Sequence, residues 1–347
     1  MSQLKVNALR NTAASSDSIT LASNADITLS NVPLLKPGTY TTSGRPADPT
    51  DGTFIYNSDD KEMQYFCDDA GWRNFKNKGY DLKSIIDDIG GEASTYLHWC
   101  CDGNSAGMTG AKLTDLSGNG WDGTNYNMSY TAPSGSTGGY WVYNSDSGNA
   151  YSSLGTQLGS AIGDNTSQFA VCAWIYCGNF EDMPDNQYWI MNDGDWSPDG
   201  QIGFRLVEDG TSGTTNVRCA AGDDNFGDSS DNASTGWPTG AGWAFVGAVR
   251  TGNNYSSGNQ RFQNVKAFPT DTNIDHFKDL TGKGFASHDA SYGIHIGNRP
   301  DSPTDDNREG DRLGMLCLWL KTSGTTPMNN PITWMETIFD KTKGRYT

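Results

Sequence analysis

Leu113-Thr114-Asp115-Leu116-Ser117-Gly118-Asn119-Gly120-Trp121-Asp122-Gly123-Thr124 is the stretch on which the reading of this chain turns. Its apolar residues, Leu113, Leu116 and Trp121, flank a core of Gly, Asn, Asp and Ser. Gly, Asn and Asp tolerate the positive-φ positions that tight turns require, so the segment reads as a loop between two strands.

The rest of the chain has the same character. Charged residues make up only 19% of the 347 residues, and 42 are Gly, a mixture that favours short strands joined by turns. With 11 Trp and 15 Tyr there is ample surface to bury, which argues against disorder. The length suggests about two or three domains. A formal charge of -17 argues against wrapping a phosphate backbone, whose affinity comes largely from Lys and Arg, so no nucleic-acid partner is expected. The opening Met1-Ser2-Gln3-Leu4-Lys5-Val6 has no apolar core of signal-peptide length, and no later stretch approaches a membrane span. Synthesis in a cytosol, without conventional export or membrane insertion, is the expectation. The seven Cys form neither CxxC nor a Cys/His metal spacing and read as free buried thiols.

From His98 to Thr347 the pattern is all-β. Phe169–Cys177 is apolar on both faces, as a central sandwich strand should be. Trp189–Met191, Ile202–Leu206, Asn216–Cys219, Gly242–Arg250, Tyr292–Asn298 and Arg312–Leu320 follow, separated by turn-rich connectors. Trp174, Trp243 and Trp319 lie inside strand patterns and are assigned to the core. An amphipathic run, Ile332–Phe339, precedes Lys343-Gly344-Arg345-Tyr346.

Taken in order, the Asp115–Thr124 loop, the Phe169–Tyr176 and Gly242–Arg250 strands, the Ile296-Gly297-Asn298 turn, the Met315–Leu320 strand and the closing helix resemble laminin G-like (concanavalin A-like) domains. The resemblance implies an antiparallel β-sandwich over 98–347 with a short C-terminal helix. Such modules recognise ligands through rim loops, where aromatic faces stack on sugars. Trp121, Tyr126, Tyr140, Trp141, Trp196, Phe226 and Trp237, all in turn-rich surroundings, are the candidate contacts; core packing is the competing reading for each.

The N-terminal third divides further. Residues 1–35 carry short alternating elements (Leu4, Val6 and Leu9; Ile19 and Leu21; Ile27 and Leu29) too small to bury a core alone. Within 36–80, Phe54–Tyr56 reads as a strand, Asn57–Asp60 as a hairpin turn, Met63–Phe66 as the return strand, and Trp72 as part of a third. The Gly44-Arg45-Pro46 to Gly71-Trp72 block, with the opening Leu4–Thr12 phrase, resembles bacteriophage tail-fibre and appendage proteins. That implies a virion-attachment segment over 1–35, a small β connector over 36–80, attachment to other virion proteins, and a homotrimer. In 81–97, Leu82, Ile85, Ile86 and Ile89 repeat at helical spacing, with Asp81 as N-cap and Gly90-Gly91 as the stop. This short helical linker packs either on the adjoining domain or in a three-stranded collar.

Chemistry has little to work with. Glycoside hydrolysis needs two carboxylates held across the scissile bond, and no Glu pair here has that spacing. No nucleophile elbow or metal-binding His pair is present, so no enzyme and no catalytic residue are expected. Asp193, Asp195 and Asp199 share one Gly-bounded loop whose oxygens suit Ca²⁺, against the alternative of solvated turn carboxylates. No other cofactor is expected. The reading is a virion structural protein that anchors through its N-terminus and presents a lectin-like domain to host-surface glycan. The alternatives are a capsid decoration or head-fibre protein without a receptor role, and a cellular carbohydrate-binding adhesion module.

Overall fold

In the computed structural model the described residues are 39–47, 53–58, 62–67, 71–74, 82–105, 107–134, 137–145, 149–156, 158, 168–180, 187–192, 202–208, 215–221, 240–251, 261–277, 293–298, 309–321 and 326–346. The expected attachment strands of 1–35 and the helix cap at Asp81 lie outside them.

Strands β1 (Thr39–Tyr40), β2 (Phe54–Asn57), β3 (Glu62–Cys67) and β4 (Gly71–Asn74) form a small sheet in that order. β2, β3 and β4 run antiparallel, while β1 joins β2 in parallel.

The larger unit is a sandwich of two sheets. One holds seven strands in the order β14 (Thr215–Ala221), β13 (Ile202–Glu208), β12 (Gln187–Asn192), β18 (His295–Ile296), β10 (Tyr151–Ser153), β7 (Gly123–Tyr126) and β6 (Lys112–Leu113). The other runs β17 (Asp275–Phe277), β16 (Arg261–Ala267), β15 (Gly242–Thr251), β11 (Gln168–Cys177), β19 (Arg312–Lys321), β9 (Tyr140–Tyr143) and β8 (Met128–Thr131). β5 (Leu97–Asp102) pairs β19 on the same flank as β9. The protein is therefore mainly β, an antiparallel sandwich closed by a C-terminal helix, α3 (Pro331–Thr342).

The alternation of β11 explains why both its faces are apolar. Phe169, Val171, Ala173 and Ile175 enter the core between the sheets, with Trp99, Trp141, Leu206 and Leu316. Ala170, Cys172 and Trp174 enter a second core behind the eight-stranded sheet. That second core is roofed by helices: α1 (Leu82–Ile89) contributes Leu82, Ile85 and Ile86, and α3 contributes Ile332, Met335, Ile338 and Phe339. The 81–97 stretch therefore carries α1, α2 (Gly91–Thr95) and the start of β5, and its apolar stripe is occupied within its own chain. Fully buried Asp102 ties the layers together, accepting from Leu82 N at 2.8 Å and from Arg345 Nη1 at 3.1 Å. Trp174 Nε1 donates to Thr342 Oγ1 at 2.8 Å, and Tyr346 stacks on the same indole at 4.8 Å. Trp174, Trp243 and Trp319 are core as expected, and Cys100, Cys101, Cys172, Cys177 and Cys317 are buried free thiols. Among the described residues no helix is long and apolar enough to cross a membrane.

The 113–124 loop closes on one carboxylate. Asp115 accepts from Ser117 N (2.9 Å), Ser117 Oγ (2.9 Å), Trp121 N (3.1 Å) and Cys100 N (3.4 Å). Gly118 and Gly120, at φ 100° and 76°, supply the left-handed turns that curl the backbone around it. Asn119 then ties the loop tip to His98 O at 2.7 Å.

Candidate functional site

Because side chains alternate across a strand, residues facing away from the core between the sheets share the outer faces of the sheets. On the seven-stranded sheet this brings together Tyr126 of β7, Tyr151 of β10 and His295 of β18. Tyr126 and Tyr151 are directly opposed in register, and their rings stack at 4.7 Å with 21° between planes. Tyr151 stacks in turn on His295 at 4.4 Å and 15°. The result is a continuous three-ring stack across adjacent strands, with Tyr126 45% exposed and the other two half-buried. Exposed Thr124 and half-buried Ser153 add hydroxyl groups beside the rings on their own strands.

His295 is fixed by its neighbours. Its Nδ1 lies 2.9 Å from Asn298 Oδ1, a contact that selects the Nδ1–H tautomer. Gly297 turns the chain between them at φ 101°, where an added Cβ would lie 2.2 Å from the Tyr143 ring. Burial holds the His295 imidazole below its ordinary 6.5, opposed by the bond to Asn298. His98 is likewise lowered by burial, opposed by the charge of Asp115. Burial also raises the Tyr151 phenol, with a further contribution from Tyr126.

A pH dependence follows from these two histidines. Above 6.5 the imidazoles are neutral in both folded and unfolded chains. As pH falls the unfolded chain takes up protons first, so stability declines through the lowered folded pKa values. The melting temperature is expected to fall between about pH 7 and pH 5. His295→Phe, which keeps a ring in the stack, makes that slope shallower; an unchanged slope contradicts the assignment.

The other expected contacts do not gather at one rim. Tyr140 sits on the outer face of the eight-stranded sheet, with the Arg312 guanidinium 4.7 Å from its ring centre and Trp243 edge-on at 5.7 Å. Trp121 packs half-buried against His98 at 4.9 Å, and its carbonyl accepts from Trp99 Nε1. Trp141 is corrected outright: it alternates with Tyr140 along β9, points into the core with no exposed surface, and donates to Thr109 O at 2.9 Å. Trp196, Phe226 and Trp237 lie outside the described residues, as do Asp193, Asp195 and Asp199. Among the described residues no group of three His, Cys, Asp or Glu side chains is placed to hold a metal ion. Sequence reading passed over Tyr151 and His295, which lie in strands of only three and two residues enclosed by Gly, Asn and Ser.

The sequence matches no protein-family profile and no curated protein. Solved structures match the chain at low similarity. A GH54 α-L-arabinofuranosidase soaked with a cyclic sulfate inhibitor is 10% identical, covering 68% of this chain and 51% of its own, at a TM-score of 0.43. The binding domain of botulinum neurotoxin serotype D is 14% identical, covering 74% and 52%, at 0.39. An alginate lyase is 10% identical, covering 64% and 94%, at 0.31. The chain thus spans about half the length of the first two, and none of these likenesses transfers an activity or a ligand to it.

Proposed function

We propose that this chain is a non-enzymatic virion structural protein, a tail fibre or similar appendage, whose sandwich binds glycan on the host surface. It would be made in the host cytoplasm, attach to other virion proteins through residues 1–35, and assemble as a homotrimer. The phage part of this reading rests on the 44–72 sequence block. The glycan part is carried by one observation, the Tyr126–Tyr151–His295 stack with its exposed Tyr126 ring. An exposed aromatic face meets the C–H face of a sugar, while neighbouring hydroxyl groups bond its polar edge. Rings already held in place lose little freedom on binding. Repeated copies on one particle would make weak single contacts sufficient for adhesion.

A glycan array probed with the purified chain tests this. Tyr126→Ala is expected to weaken the strongest signals about tenfold, corresponding to the loss of a contact worth about 1.4 kcal/mol. The residue is exposed, so the melting temperature should scarcely change. Equal signals from both proteins, or none from the parent chain, would remove the glycan reading.

A further inference from the structure

Beside the second core, on the outer face of the eight-stranded sheet, lies a cation with no counter-charge among the described residues. Arg312 opens β19, flanked in register by Tyr176 of β11 on one side and Val142 of β9 on the other, with Tyr140 two residues along β9. Its guanidinium lies 4.4 Å from the Tyr176 ring centre and 4.7 Å from that of Tyr140. The Trp243 ring edge meets both tyrosines, at 5.6 and 5.7 Å. Among the described residues Arg312 makes no ion pair and no side-chain hydrogen bond, and its Nε is buried without a partner. Neither the Tyr140 nor the Tyr176 hydroxyl has a hydrogen-bond partner among them.

We infer that Arg312, with Tyr140 and Tyr176, forms a recognition site for a carboxylate-bearing sugar of the uronic-acid class. Aromatic rings cover the faces of the guanidinium, so what remains for a ligand is its N–H edge. That edge bonds a planar carboxylate through two parallel hydrogen bonds. A uronate ring presents a carboxylate flanked by hydroxyls, and the site presents a guanidinium flanked by phenol hydroxyls. An acidic peptide would satisfy the cation and leave those hydroxyls unused. The -17 charge of the whole chain repels long polyanions. A short oligomer instead meets the local charge, because screening at physiological salt acts over about 8 Å. This site is on the opposite face of the sandwich from Tyr126 and stands independently of that stack.

Titration calorimetry of the full chain with a galacturonic acid tetramer, its methyl-esterified counterpart and tetraglutamate tests the site. The acid tetramer is expected to bind at least about tenfold more tightly than the ester, the worth of a charge-assisted bond. Arg312→Gln should lose that preference and Arg312→Lys retain part of it, with melting temperature monitored throughout. Should both unfold, Tyr176→Phe keeps the ring, removes one hydroxyl and gives a smaller loss in a folded protein. The inference is overturned if acid and ester bind alike, or if folded Arg312→Gln or Tyr176→Phe binds as the parent does. Absence of binding by the acid tetramer at millimolar concentration overturns it as well, whatever tetraglutamate does, and Tyr126→Ala should leave the result unchanged.

Discussion

Removing residues 331–347 is expected to leave a chain that does not fold. The amphipathic run of this segment forms α3, which is the roof of the second core. Ile332, Met335, Ile338, Phe339 and Tyr346 are all buried, four of them in α3 and the last just beyond it. At about 1.5–3 kcal/mol per buried apolar side chain, their removal forfeits roughly 10 kcal/mol. That is comparable with the whole stability of an ordinary domain, about 5–15 kcal/mol. The loss also strips Trp174 Nε1 of its acceptor and Asp102 of Arg345. Near-ultraviolet circular dichroism is the check, because the stacked Trp174, Phe339 and Tyr346 rings give a signal only when fixed. A soluble truncated chain with a cooperative melt would show that the helix is dispensable.

Asp115→Ala is expected to cost about 3 kcal/mol or more, an unusual amount for a loop residue. Three backbone N–H groups and a hydroxyl converge on that carboxylate, which is 9% exposed. Bonds to a charged acceptor are worth more than neutral ones, and the abandoned donors have little access to water. Asp115→Asn keeps the shape and one acceptor oxygen, so its cost should be smaller. Chemical unfolding of the two variants measures the difference. A loss below about 1 kcal/mol for Asp115→Ala would mean that the glycines, rather than the carboxylate, hold the loop.

What could be read from the sequence was whatever repeats locally. The double-faced apolar run of β11, the strand positions of Trp174, Trp243 and Trp319, the meander of 54–74 and the amphipathic closing helix are all periodic over a few residues. What could not be read was adjacency set by strand order. Tyr126, Tyr151 and His295 are far apart in the chain and meet only because β7, β10 and β18 are neighbours. Arg312 looks like any strand-opening cation until the sheet places a tyrosine on each side of it. Trp141 was misread because Tyr140-Trp141-Val142-Tyr143 is aromatic or apolar at every position, and only the folded strand separates its half-buried from its buried residues. The helical stripe of 82–89 gave the right element, while its partner, the back of the eight-stranded sheet, lay far along the chain.

If the sandwich meets glycan through the ring stack on its seven-stranded sheet, a bound glycan must cover those rings. Carbene footprinting of the chain, with and without the strongest ligand found on the array, addresses it most directly. Labelling of Tyr126 and Tyr151 is expected to drop on binding while the α1 and α3 surfaces keep theirs. Protection confined to other residues, with Tyr126 labelled as before, would contradict it.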